Sequence, residues 1–377
     1  MTALPASGLA LRTLISADGG LKMFLIDQPV PALADHEILV RVEAAPINPS
    51  DLALLTGPAD LSTAQAGGAG ATKVLTASIP EPFRKYVAGR FGEALPAGNE
   101  GAGVVIAAGK DEAAQKLLGK TVALANGAMY AQYAIAPAMM VLQLPDGVTP
   151  VQGASAFVNP LTALSMVETM RMEGYKALVH TAAASNLGQM LVRLTKAEGI
   201  GLVNIVRSPA QAQILRDLGA VHVVDSTAPG FEADLEAAIT ATGAMLAFDA
   251  IGGGKLAGQI LSAMERVASK SGPYSRYGSS TMKQVYVYGG LDTGPTSFNR
   301  SFGLIWGIGG WLLTPFLQKA GMETVMRLRA RVAAEITTTF ASAYTAELSF
   351  DQMLDPATAR AYAAKATGQK MLLKPWA

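Results

Sequence analysis

Ala177-Leu178-Val179-His180-Thr181-Ala182-Ala183-Ala184-Ser185-Asn186-Leu187-Gly188-Gln189-Met190 opens a stretch, Tyr175 to Ser226, that continues through an apolar helix pattern to Gly201-Leu202-Val203-Asn204-Ile205-Val206-Arg207. A buried-strand run passes through a tight small-residue turn into a helix, and a second strand ends on an arginine. This is the layout of a dinucleotide-binding βαβ unit: small residues let the backbone approach a pyrophosphate, and a helix N-terminus offers free N–H groups and partial positive charge. The second strand ends where the adenosine ribose is read, about 20 residues beyond the turn. Arg207 stands there with no acid beside it. An acid would accept from a free 2′-hydroxyl, whereas a guanidinium favours a 2′-phosphate. The expected cofactor is NADPH.

With 377 residues, half of them apolar and 16% charged, the chain is long enough for two domains with substantial cores. A net charge of +1 gives no electrostatic case for nucleic acid or an anionic membrane. The N-terminus lacks the basic region and apolar core of a signal peptide, so a reducing, cytoplasmic setting is expected. Leu304–Leu317 is the most apolar run. It is too short to span a bilayer and holds three glycines and a proline, which predicts a buried helix or a subunit contact. Cysteine is absent, and the histidines are His36, His180 and His222. No disulfide, thiolate nucleophile or cysteine-containing zinc site can form, and no short-range histidine pair exists, so no metal is expected.

The early chain reads as strands and turns: Glu37–Ala45, Gly98–Ala107, Lys120–Leu124 and Ala131–Ala136 give an all-β pattern resembling a small barrel. Between Thr56 and Pro96 lies a Gly/Ala-rich segment with a possible helix over Glu81–Phe91, readable as a lid or as a surface insertion. From about Val151 helix and strand alternate. Strands are expected at Ala177–Thr181, Gly201–Val206, His222–Val224, Met245–Ala250 and Val285–Gly289, with helices at Leu187–Gly199 and Ala210–Leu218 between them. The fold class is therefore α/β: a doubly wound parallel sheet of the Rossmann type over residues 151–341, and a mostly β, barrel-like catalytic domain over 1–150 completed by 342–377. Ligand is expected at the strands' C-terminal ends, where Ser185, Arg207, Ile251, Gly289 and Gly290 fall.

Several motifs occur in order: Pro46-Ile47-Asn48-Pro49-Ser50-Asp51, Gly98-Asn99-Glu100-Gly101-Ala102-Gly103, Tyr130-Ala131-Gln132-Tyr133, Asn159-Pro160-Leu161-Thr162-Ala163, the Ala-rich turn, and Thr367-Gly368-Gln369-Lys370-Met371-Leu372-Leu373. Together they resemble the zinc-free branch of the medium-chain dehydrogenase/reductases, which includes NADPH:quinone oxidoreductases and enoyl thioester reductases. In the zinc-dependent relatives a cysteine stands where Asn48 stands here and a histidine where Asn99 stands; neither amide is a credible zinc ligand. Without a Lewis acid, alcohol dehydrogenation loses its usual device, while reduction of a conjugated acceptor remains feasible. The resemblance implies hydride transfer from NADPH to a quinone or other enone, and a homodimer formed through the cofactor domain.

Two departures bear on the acceptor. Ser185-Asn186-Leu187-Gly188 replaces the family's usual glycine pair, with a serine that still suits phosphate. The enoyl thioester reductases also place a proton-donating tyrosine after the Asn-Pro-Ser-Asp motif, and Leu52–Pro58 contains none. The quinone-type reading stands ahead of an enoyl thioester reductase, and of a nucleotide-binding relative without catalysis. Ser185, Asn186, Leu187 and Gly188 are cofactor contacts by this reading. Arg207 binds the 2′-phosphate or is a solvated strand-end charge. Asn48 stands near the nicotinamide or is a turn former before Pro49, and Thr162 lies beside the nicotinamide or caps a helix. Tyr130 faces the active-site cleft or is a half-buried strand tyrosine; it and Asn48 are the catalytic candidates. Asp249 organises the loop Ile251–Gly254 rather than doing chemistry.

Overall fold

Alternating apolar and polar side chains turn the early chain into strands, and continuous apolar runs separated by amphipathic helices take over later. The computed structural model describes residues 4–270 and 272–377. They divide into unit 1, which runs to Val158 and resumes at Arg329, and unit 2, Asn159–Leu328.

In unit 1, β1 (Ser7–Ile15), β2 (Gly20–Pro29), β3 (Glu37–Pro46), β4 (Asp60–Gly67), β5 (Val74–Ser78) and β6 (Leu95–Pro96) come first. All but β3 form a sheet ordered β4-β5-β2-β1-β6. A second sheet holds β3 with β7 (Gly101–Ala108), β8 (Thr121–Leu124), β9 (Tyr133–Pro137), β10 (Leu142–Gln143) and two late strands, Ala346–Leu348 and Met371–Leu373. The returning tail is thus pinned: Leu372 and Leu373 pair with Pro46 and Ala45. Both sheets keep open ends, so the expected barrel is a pair of curved, unclosed sheets around one core of Leu11, Met23, Val40, Leu124 and Phe350 among others.

The Thr56–Pro96 segment is no loop. Its β4 and β5 extend the first sheet, because Val74, Leu75 and Ala77 carry the pattern of a half-buried strand and β5 pairs antiparallel with β2. The helix expected over Glu81–Phe91 shrinks to one turn, Glu81–Arg84, and a 3₁₀ turn, Ala88–Arg90, since Gly89 weakens propagation.

In unit 2, β11 (Ala177–His180), β12 (Gly201–Val206), β13 (His222–Asp225), β14 (Leu246–Asp249), β15 (Gly252–Gly254), β16 (Lys283–Val287), β17 (Asp292–Thr296) and β18 (Trp306–Gly310) follow. Six of them form one parallel sheet, β13-β12-β11-β14-β16-β18, with helices Asn186–Glu198, Pro209–Asp217, Phe231–Thr242 and Leu256–Ser269 between strands. This is the expected doubly wound arrangement, with strand bounds displaced by at most a few residues.

Two expectations need correction. Leu304–Leu317 is not a buried helix: it supplies the edge strand β18 and then the start of helix Leu313–Glu335. Glycines 307, 309 and 310 discourage helix, and Trp306 and Ile308 pack on the unit's own core while Leu304 and Leu312 stay exposed. The unit boundaries also lie at 158/159 and 328/329 rather than 150/151 and 341/342. Glu100 accepts from the N–H groups of Phe157 and Val158, and Arg329 donates to the carbonyls of Met139 and Val141, so unit 1 holds both crossings. Among the described residues, no helix is long and apolar enough to cross a membrane.

One buried ion pair anchors the far side of unit 2. Lys283, fully buried on β16, donates to Glu265, to Ser279 Oγ and to the Thr281 carbonyl, and Glu265 accepts from Ser269 and Ser279 as well. Removing one partner strands the other charge in the interior. Glu265→Ala is expected to cost about 3–5 kcal/mol, seen as a lower denaturant midpoint, whereas an unchanged midpoint would show the pair to be dispensable.

Candidate active site

The C-terminal edge of the parallel sheet is built by its turns. After His180 the chain enters a left-handed residue, Ala182 (φ 48°), and reaches Ser185, which caps helix Asn186–Glu198 by accepting from Gly188 N–H at 3.2 Å. A Cβ at Gly188 would lie 2.1 Å from the Ala183 carbonyl oxygen, so only glycine lets the helix start against the turn. The N-terminus of this helix therefore lies at this edge. Arg207, exposed, follows β12 directly. Its nearest strand-end acid across the sheet, Asp225, is taken up by Thr227, whose N–H and Oγ1 lie 2.9 and 2.8 Å away.

The next strand is fastened to the first. Buried Asp249 accepts from Thr181 Oγ1 (2.7 Å), Ile251 N–H (2.9 Å) and Gly252 N–H (3.1 Å), while Thr181 Oγ1 accepts from Ala250 N–H (2.8 Å). Asp249 therefore organises the glycine loop, as its position suggested. A Cβ at Gly289 would meet the Ala250 carbonyl at 2.7 Å, whereas Gly290 faces open space. Beside them Tyr288, Trp311, Leu312 and Pro315 line an open depression of about 440 Å³. Trp311 is fixed by an indole N–H bond to Thr169 Oγ1 (3.2 Å) and by an edge contact with Phe248. Thr162 is buried one turn inside helix Val158–Met172, which removes the capping reading.

Unit 1 holds a second constellation. Asn48 heads the short helix Pro49–Leu55, and its N–H goes to Asp51 Oδ2 (2.8 Å). Its side chain does not cap: Nδ2 donates to Glu100 Oε1 at 2.8 Å, and the buried Oδ1 has no partner among the described residues. Asp51 Oδ1 accepts from Asn99 N–H (2.7 Å), and Asn99 Nδ2 donates to Ser50. Buried Lys370 donates to Ser155 Oγ (2.7 Å), which contacts the Tyr344 hydroxyl. Tyr130 corrects an expectation. It is neither cleft-facing nor half-buried on a strand: it lies wholly in the unit 1 core, its hydroxyl donating to the Pro46 carbonyl (3.1 Å). Among the described residues no three His, Cys, Asp or Glu side chains gather as a metal-holding group.

No family model matches the chain. Among curated proteins it is 29% identical over 235 residues to the mitochondrial enoyl-[acyl-carrier-protein] reductase of Xenopus tropicalis, covering 58% of this chain and 57% of that one. It is 31% identical over 131 residues to a quinone oxidoreductase of Pseudomonas aeruginosa, covering 34% and 40%. The chain thus spans about half the length of the curated relatives it matches. A crystal structure of a Mesorhizobium loti protein assigned as an NADPH:quinone reductase superposes over 99% of this chain and 100% of its own, with TM-score 0.73 and 27% identity. These relatives and neighbours are quinone oxidoreductases and enoyl thioester reductases of the medium-chain dehydrogenase/reductase type, and the chain is similar to them in sequence and in fold. The enoyl thioester reductase of Candida tropicalis shares the fold, with TM-score 0.67 at 19% identity over 98% of this chain and 99% of its own.

In this chain Ser185, Asn186, Leu187, Gly188, Arg207, Ile251, Gly289 and Gly290 fall on one edge of one sheet. Asn48 and Tyr130 belong to unit 1. Sequence reasoning missed Tyr288 and Trp311; their signal was weak, two aromatics just past strands otherwise read for backbone alone.

Burial pushes the Asp51 carboxyl up to about 7, against the pull of the Asn48 and Asn99 amides. The unfolded chain releases that proton near pH ~4. Stability from the held proton is therefore full below that pH and lost as pH rises through about 7. Asp51→Asn, which cannot ionise, is expected to flatten this part of the profile. The gap between variant and wild-type thermal midpoints should move in the variant's favour from pH ~4 to ~7. A gap independent of pH contradicts the assignment.

Proposed function

We propose that this protein is an NADPH-dependent oxidoreductase that passes hydride to a quinone or another α,β-unsaturated carbonyl compound, without zinc. The observation carrying this reading is the Ser185–Gly188 turn with exposed Arg207 at the end of the next strand. What supports the cofactor is a turn so tightly packed that glycine is required at 188, a helix N-terminus for the pyrophosphate, and a guanidinium for the 2′-phosphate. Bound there, NADPH supplies the hydride, and the protein's own work is orientation and exclusion of water. Ile251, Gly289 and Gly290 give it backbone to lie against. Thr162 and Asn48 are further contacts of this reading, Asn48 through its unpartnered Oδ1. Tyr130, bonded to Pro46, supports the scaffold.

The zinc-free reading rests on the amides at 48 and 99, whose nitrogens are already given to Glu100 and Ser50. An enoyl thioester acceptor is the second reading, favoured by the enoyl reductase relatives and opposed by the tyrosine-free stretch Leu52–Pro58. A cytoplasmic setting is part of the same proposal, and a near-neutral charge argues against nucleic acid or an anionic membrane as partner.

NADPH is expected to bind about ten- to a hundredfold more tightly than NADH, and Arg207→Ala to erase most of that difference, by fluorescence titration. Equal affinity in the unmodified protein would sink the cofactor assignment. Turnover with a panel of quinones, enones and enoyl thioesters then ranks the acceptors.

A homodimer through unit 2 is part of the same proposal. β18 ends the parallel sheet, with Leu304 and Leu312 exposed at 67% and 64% beside it. Trp306 and Ile308 serve the unit's own core. Charges placed at Leu304 and Leu312 should therefore shift sedimentation toward monomer without unfolding the chain. A wild-type protein that sediments as a monomer at micromolar concentration refutes the dimer.

A further inference from the structure

The reaction proposed above has no group assigned to the oxygen of the acceptor, and the expected tyrosine of unit 1 is absent. One hydroxyl in unit 2 is arranged for that task. β11 ends on His180, fully buried, whose Nε2 lies 2.7 Å from the Tyr288 hydroxyl with the two rings stacked. Burial pushes the imidazole down to about 3, so it is neutral and carries one proton. Nδ1 is buried and has no partner among the described residues. A proton on Nδ1 would be an orphaned buried N–H, the costlier defect; on Nε2 it is donated to Tyr288 and leaves only an unfilled lone pair. The proton therefore sits on Nε2 and the Tyr288 oxygen is an acceptor toward His180. Its own hydrogen then has no acceptor among the described residues.

Tyr288 is partly exposed and lines the depression of about 440 Å³ with Gly289, Trp311, Leu312 and Pro315. Its ring is held edge-on by Phe248, at 6.5 Å between centroids. From these arrangements we infer that Tyr288 is a catalytic residue which donates a hydrogen bond to the carbonyl oxygen of the acceptor, and that His180 is the positioning residue that turns this hydrogen outward. The inference rests on the reductase reading above.

Hydride addition to a conjugated carbonyl delivers an electron pair that ends on oxygen, and a preset donor stabilises that oxygen as charge develops. Tyr288 keeps its proton: burial and the charge of Asp249 raise the phenol above its ordinary range. The proton that completes the reduction comes from water, so hydride and proton together account for the reduced product. The lining of tryptophan, leucine and proline suits a flat apolar acceptor, which favours quinones over extended polar thioesters.

Tyr288→Phe is expected to lower kcat/KM for a quinone about a hundredfold while leaving NADPH affinity unchanged. A readout free of turnover is the binding of substituted phenolates, which mimic the charged oxygen. Their affinity should rise with the parent phenol's pKa in the unmodified protein, and Tyr288→Phe should flatten the trend. His180→Leu alone should weaken both readouts, and it should change neither when combined with Tyr288→Phe. His180→Gln, which keeps an N–H donor, should restore them in part. Unchanged kcat/KM and unchanged phenolate affinity in Tyr288→Phe would overturn the assignment. Should that variant not fold, a phenolate trend that is already flat in the unmodified protein overturns it equally. Either result leaves the NADPH-over-NADH preference standing, so the two readings fail separately.

Discussion

A side-chain carbon at residue 188 would come within 2.1 Å of a backbone oxygen, and the turn that shapes this edge of the parallel sheet depends on its being absent. Because Gly188 yields, helix Asn186–Glu198 begins directly over the turn that leaves β11. Ser185 can then cap it by accepting from the Gly188 N–H. Asp249 extends the same rigidity to β14 by gathering Thr181, Ile251 and Gly252 around one carboxylate. A carboxylate that accepts three bonds in a dry interior is worth far more as an organiser than as a reagent.

Both units solve the same problem, a polar group in an apolar core, by saturating it. Glu100 is filled by Asn48 and by two amides of the chain leaving unit 1; Glu265 is filled by Lys283 and two serines. Among the described residues, the buried side-chain atoms without a partner are Asn48 Oδ1, His180 Nδ1, Arg90 Nε, Arg329 Nε, Ser165 Oγ and Asn204 Oδ1. Each is an exception to the rule that buried polar groups are paired.

Much of this was legible in the residues. The strands of unit 2 read clearly because a strand covered on both faces is a continuous apolar run, as in Ala177–His180 and Leu246–Asp249. The glycine and serine of the phosphate turn carried their geometry with them. What failed was reading by hydrophobicity alone. Leu304–Leu317 is apolar enough for a buried helix, yet its glycines make an edge strand. Thr56–Pro96 was readable only as a lid or a surface insertion because β4 is mostly exposed, with just Leu61 and Ala64 partly buried, and so lacks alternation. Tyr130 and Tyr288 could not be told apart in sequence. Each is a tyrosine near a strand end, and only packing decides that one hydroxyl meets a backbone carbonyl and the other a buried imidazole.

The added strand β4 has a broken register: Asp60 faces Ser78, but Gln65 faces Thr76, and the residues between bulge away. The Leu61 carbonyl in that bulge accepts from Arg360, and Lys73 nearby is paired with Asp351. This end of the sheet is consequently disarmed as a template, since a twisted, side-chain-covered edge cannot accept another chain's backbone. A second copy meeting β18 through its own β18 would produce a closed two-fold object. With β4 broken and covered, head-to-tail pairing of one copy's β18 with the next copy's β4 is disfavoured by geometry rather than by charge.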